Sequence, residues 1–118
     1  MRLGARTPEE LESLLEDAFV TRDVDALCEM FEEGAVLVGG AGAQEARGQE
    51  EIGRLARALL EANRTYVAEP RRVVQARDTA LVVGSDGINV VRRQGDGGWR
   101  YAIALLSPDG TTPTEEQR

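Results

Sequence analysis

Asp78-Thr79-Ala80-Leu81-Val82-Val83-Gly84-Ser85-Asp86-Gly87-Ile88-Asn89-Val90-Val91-Arg92-Arg93-Gln94-Gly95-Asp96-Gly97-Gly98-Trp99-Arg100-Tyr101-Ala102-Ile103-Ala104-Leu105-Leu106 is the stretch that decides the fold. Its apolar, β-branched and aromatic runs have strand length. Asp86-Gly87 and Asp96-Gly97 are dipeptides suited to positive φ at both centres of a two-residue hairpin turn. Three antiparallel strands are therefore expected. A two-residue turn at Asp96-Gly97 pairs Gln94 with Trp99, Arg93 with Arg100, Val91 with Ala102 and Asn89 with Ala104. One face then carries Asn89, Val91, Ala102, Ala104 and Leu106. The other carries Ile88, Val90, Trp99, Tyr101, Ile103 and Leu105. A sheet with water on one side alternates apolar and polar residues. This one is apolar on both sides, so both faces should be covered.

Helices precede these strands. Thr7-Pro8-Glu9-Glu10 carries a capping threonine, proline at the first helical position and a glutamate three residues on. Leu11, Leu14, Leu15, Ala18 and Phe19 then form one apolar stripe. Asp23 caps a second, shorter helix through Val24, Leu27, Cys28 and Phe31, which Gly34 should end in the left-handed conformation. Ala35 to Val38 reads as a short strand, followed by a glycine-rich connection from Gly39 to Gly48. A third helix is expected from about Gln49 to Asn63, buried through Ile52, Leu55, Ala56, Leu59 and Leu60. Thr65 to Ala76 reads as a strand in which Pro70 demands an edge or a bulge. Residues 107–118 read as a loose tail. The expected class is α+β: three N-terminal helices on a curved, mainly antiparallel sheet, one domain over 1–118. Helices can cover one sheet face, and a second copy of the chain is the economical cover for the other.

Composition removes many chemistries. The 118 residues carry a net charge of −7, and there is no histidine. All fourteen basic residues are arginine. An acidic chain repels phosphate backbones, so no nucleic-acid partner is expected. Without lysine there is no Schiff base or P-loop amine. Without histidine there is no Ser-His-Asp triad and no common zinc site. No metal or cofactor is expected. No apolar run approaches the ~18 residues of a membrane span, so no membrane partner is expected. A lone Cys28 agrees with a reducing, cytoplasmic setting.

Asp23-Val24-Asp25-Ala26-Leu27 with Phe31, Arg47-Gly48 with Ile52, Asp78-Thr79-Ala80-Leu81-Val82-Val83, and Val90-Val91-Arg92-Arg93-Gln94 before Asp96-Gly97-Gly98-Trp99-Arg100 carry a family resemblance. Together they span Thr7 to Leu106. The chain resembles the nuclear transport factor 2-like superfamily, which includes ketosteroid isomerases and SnoaL-type polyketide cyclases. It is similar to a bacterial subgroup of small SnoaL-like proteins, some associated with natural-product pathways. The resemblance implies a cone of sheet and helices with a pocket inside, and frequent dimers. It also places the isomerase tyrosine on Leu15, the general-base aspartate on Gly39 and the protonated aspartic acid on Asn89. A base must reach the proton it removes, and glycine cannot be one. Isomerase chemistry is therefore not expected.

The pocket residues expected are Asn89, Val91, Ala102 and Ala104 from the strands, Leu15 and Phe19 from the first helix, and Tyr66. The Asn89 amide should point inward, toward either a ligand or a neighbouring side chain. Arg93 and Arg100, facing each other, should hold an acidic side chain such as Glu9, Glu10 or Glu16, or an anionic ligand, between them. Ile88, Val90, Trp99, Tyr101, Ile103 and Leu105 should form a dimer face. The expected function is a small-molecule pocket protein, with an isomerase- or cyclase-like enzyme using Asn89 and a structural dimer module as alternatives.

Overall fold

A computed structural model describes residues 4–40 and 42–106. Helix α1 spans Pro8–Thr21, with Thr7 Oγ1 accepting the Glu10 amide as the N-cap. Helix α2 spans Val24–Glu29 and is capped by Asp23 through the Ala26 amide. Strands β1 (Phe31–Gly39) and β2 (Gln44–Arg47) precede helix α3 (Gly48–Glu61). The chain then runs through β3 (Pro70–Ala76), β4 (Thr79–Gly84), β5 (Gly87–Arg93) and β6 (Trp99–Leu106). The six strands order as β2-β1-β6-β5-β4-β3, with β1 and β6 parallel and the other pairs antiparallel. Helix α3 buries Ile52, Leu55, Ala56, Leu59 and Leu60, worth ~1.5–3 kcal/mol for each large aliphatic side chain. The architecture is α+β, as expected; the tail expected over 107–118 lies outside the described residues.

Several boundaries differ from the sequence reading, each for a local reason. Helix α2 stops at Glu29, and Gly34, with φ +80°, sits inside β1. There the register with β6 jumps between Phe31 and Val36, so the glycine serves a strand irregularity and not a helix end. The glycine-rich connection contains β2, paired to β1. Residues 65–69 form no strand. The Val67 and Ala68 amides donate to Asp86 Oδ2 and Glu16 Oε1 instead of a ladder, and Pro70 has no amide to give. Pro70 opens an edge strand beside a register shift, the setting its ring requires.

The two aspartate-glycine turns are looser than expected. Val83 pairs with Ile88, and neither Asp86 nor Gly87 has positive φ. Arg93 pairs with Trp99, leaving Gln94 to Gly98 as the second loop, with Gly97 at φ +90°. The two-residue connection lies instead at Arg77-Asp78, between Ala76 and Thr79, with Arg77 at φ 55°.

The largest correction is in β6. Asn89 faces Ala104 and Val90 faces Ile103, but Val91 faces Tyr101, so Ala102 is an extra residue in a bulge. One added residue reverses side-chain parity for everything before it. Trp99 and Tyr101 therefore turn toward the helices, at 2% and 0% exposure, and cannot belong to an outer face. Arg100 is exposed and pairs with Arg92, not Arg93. The driving force is aromatic area of ~150–250 Å² per ring taken from water, with each ring's polar handle partnered. Tyr101 hydroxyl reaches Glu12, and the Trp99 backbone amide bonds the Ala5 carbonyl at 2.9 Å.

Candidate functional site

Helix α1 buries Pro8, Leu11, Glu12, Leu15, Ala18 and Phe19. Glu12 shares that stripe because it lies one residue after Leu11 and three before Leu15. Its carboxylate is fully buried. Oε1 accepts the Tyr66 hydroxyl at 2.6 Å. Oε2 accepts the Tyr101 hydroxyl at 2.8 Å and Asn89 Nδ2 at 2.9 Å. The second Asn89 N–H donates to the Tyr66 oxygen at 3.2 Å, and Asn89 Oδ1 accepts the Leu105 amide at 3.2 Å. Among the described residues, every buried side-chain nitrogen and oxygen has a partner. Such a network is stable because every member is satisfied.

Asn89 is thus buried and inward as expected, yet its donors and acceptor are committed to protein groups. Tyr66 and Asn89 come together, while Leu15, Val91, Ala102 and Ala104 are buried in contact-forming core positions. Arg93 does not share an acid with Arg100. It bonds Asp78 at 2.7 Å and lies 5.2 Å over the Trp99 ring. Arg92 bonds Glu32 at 3.1 Å. The acids across from these arginines are therefore protein side chains, though not Glu9, Glu10 or Glu16. Glu12 escaped the sequence reading, and its signal was a carboxylate standing on the apolar stripe.

A cleft of about 370 Å³ opens beside this network, walled by Phe19, Leu59, Tyr66, Asp86, Leu106 and residues 62–65. The Phe19 and Tyr66 rings stack with centroids 6.0 Å apart and form its floor, dividing the cleft from the carboxylate beneath. Gly39 flanks the same wall: a Cβ there would meet Leu106 Cβ at 3.6 Å and Leu59 Cδ1 at 3.7 Å, ordinary contacts. The expected pocket residues Val91, Ala102, Ala104 and Leu15 do not line this cleft; Phe19 and Tyr66 do. Among the described residues, no cluster of three or more acids or cysteines is placed to hold a metal. None of their helices is long and apolar enough to cross a membrane.

Burial first, and the Glu12 charge second, push the Tyr66 phenol far above its ordinary value. The Tyr101 phenol moves the same way, by burial and then by Glu12. Both phenols bind their protons more tightly folded than unfolded. Their contribution to stability is therefore whole below the unfolded-chain value of 10.0 and is lost as pH climbs beyond it. The chain has no lysine and only these two tyrosines, so few other groups titrate there. Burial also raises the Cys28 thiol, and Cys28→Ser removes that contribution. In this background the melting temperature should stay flat to about pH 10 and then fall steeply. A Tyr66→Phe/Tyr101→Phe variant, less stable at neutral pH, should lack the steep limb. Parallel curves for the two proteins would remove the network as its source.

The SnoaL-like domain model matches residues 11–111. A search of curated proteins returned no match. Among solved structures, a candidate calcium/calmodulin-dependent protein kinase type II association domain from Thiobacillus denitrificans superposes with a TM-score of 0.75 at 19% identity, covering 91% of this chain and 98% of that one. A ketosteroid isomerase-like protein from Erwinia carotovora atroseptica gives a TM-score of 0.68 at 21% identity, covering 84% and 91%. A nuclear transport factor 2-like protein of unknown function from Pseudomonas putida gives 0.64 at 19%, covering 83% and 81%. At these identities the structural likeness speaks for the fold. With the family match over most of its length, the chain belongs to the SnoaL-like domain family of the nuclear transport factor 2-like superfamily.

Proposed function

We propose that this chain is a homodimeric cytoplasmic protein that binds a small hydrophobic, polyketide-like molecule without catalysing isomerase-type proton transfer. The observation that carries the reading is the cleft of about 370 Å³, within the ~300–1,000 Å³ range of small-ligand sites. Its floor is aromatic and its wall aliphatic, as an apolar guest requires. The two positions where the isomerase resemblance needs a tyrosine and a base are Leu15 and Gly39. The remaining interior polar groups bond one another. A free thiol at Cys28 suits a reducing compartment.

Native mass spectrometry of freshly purified protein tests both parts together. The expected species is twice 12.8 kDa plus a co-purified small molecule. Ala62→Trp, at an exposed position on the cleft wall, should remove the adduct while leaving the melting temperature nearly unchanged. A dimer that carries no adduct, and that takes up none from a panel of hydrophobic compounds, would favour the structural-module reading.

A further inference from the structure

We propose that the cleft selects its ligand by a hydrogen-bond donor, so that the class it takes is an apolar amine or alcohol, not a ketone, enolate or carboxylate. This deepens the reading of the cleft as a binding site and rests on it. Tyr66 is the residue common to the cleft wall and the buried quartet. A phenol has one proton to donate and two lone pairs to accept with. The proton is committed to Glu12 at 2.6 Å, and one lone pair takes the Asn89 amide at 3.2 Å. What Tyr66 has left to offer is acceptance alone. The carboxylate behind it draws the phenolic proton inward and makes that oxygen a better acceptor.

The second polar group is Asp86. One of its oxygens takes the Val67 amide at 2.8 Å, and an ionised carboxylate keeps further acceptor sites after one bond. Arg64 is the single cation among the wall residues, and it is already engaged in an interaction of its own. A carbonyl oxygen or an anion laid against Phe19 and Leu59 would meet acceptors at Tyr66 and Asp86. A hydroxyl or ammonium meets partners. This is the reverse of an oxyanion hole, whose donors point at developing negative charge. No proton leaves the ligand and no bond in it is broken; the site recognises and holds.

Three probes sharing one apolar body test the polarity: 2-naphthylmethylamine, 2-naphthylmethanol and 2-naphthoate, titrated calorimetrically into the full chain at pH 7. The amine and the alcohol should each bind at least tenfold more tightly than the carboxylate, the difference made by about one buried hydrogen bond. Asp86→Asn should weaken the amine about tenfold and the alcohol less. Tyr66→Phe should weaken both about tenfold; should that variant fail to fold, the half-exposed Asp86 position carries the test alone. Naphthoate binding as tightly as the alcohol or more so would overturn the donor assignment while leaving the cleft a binding site. An amine affinity unmoved by Asp86→Asn would also overturn it. No binding by any of the three would remove both the donor assignment and the cleft as a ligand site.

Discussion

Glu12→Ala should cost about 3–5 kcal/mol of unfolding free energy, more than any other single polar change in the chain. The variant strands the Tyr66 hydroxyl, the Tyr101 hydroxyl and one Asn89 N–H in a dry interior, each of which Glu12 now accepts. Leaving a buried donor unpartnered costs about 1–3 kcal/mol. The missing side chain adds a void that the surrounding Leu11, Leu15 and Tyr101 cannot fully close. Relief of the burial penalty on the carboxylate offsets part of the sum. Glu12→Gln keeps the volume but presents an N–H₂ where donors already point, so a loss of about 2 kcal/mol or more is expected. Glu9→Ala, on the exposed side of the same helix, should change stability by less than ~0.5 kcal/mol. Urea unfolding of the three variants measures the order directly. A Glu12→Ala protein within 1 kcal/mol of the parent would mean the quartet is not a stabilising hub.

The same residues explain how much of the molecule was legible beforehand. Helix caps are local chemistry, so Thr7 and Asp23 announced α1 and α2 correctly. The family motifs and the strand runs gave the α+β class. Bulges are not local. Nothing between Gly98 and Ile103 signals an extra residue, because the choice between Trp99 outside and Trp99 inside is made by partners on α1 and near Ala5. Glu12 was a missed opportunity of a different kind. Its helical phase placed it inward, and a carboxylate with that phase requires donors from elsewhere in the chain. Only two tyrosines were present to supply hydroxyls, and both do. The cleft, by contrast, depends on where α3 ends and how residues 62–66 leave it, which periodicity does not specify.

Ile103→Glu should convert the protein from a dimer to a monomer in solution. After the bulge, β6 turns Ile103 and Leu105 outward, beside Val90 and Ile88 on β5 and Val36 and Val38 on β1. Leu81 continues the row on β4 against Val90, and Val74 on β3 against Leu81. Ile88, Ile103 and Leu105 are 47%, 42% and 43% exposed. The row is five strands wide, ~20 Å at the usual interstrand spacing, and nothing but apolar side chains crosses its centre. Patches beyond a few hundred Å² rarely stay open to water. A two-fold dimer would set this face against its own copy, so one substitution introduces two buried charges. The dissociation constant should rise at least a hundredfold, about 3 kcal/mol. Gel filtration with light scattering would then report 12.8 kDa instead of twice that mass. The monomer should stay folded, since position 103 takes no part in the buried core. Tyr101→Glu, two residues away but fully buried against Glu12, should unfold the chain, so the pair separates interface from core. A parent protein already monomeric at tens of micromolar, or an Ile103→Glu protein still dimeric, would leave this face without a second copy.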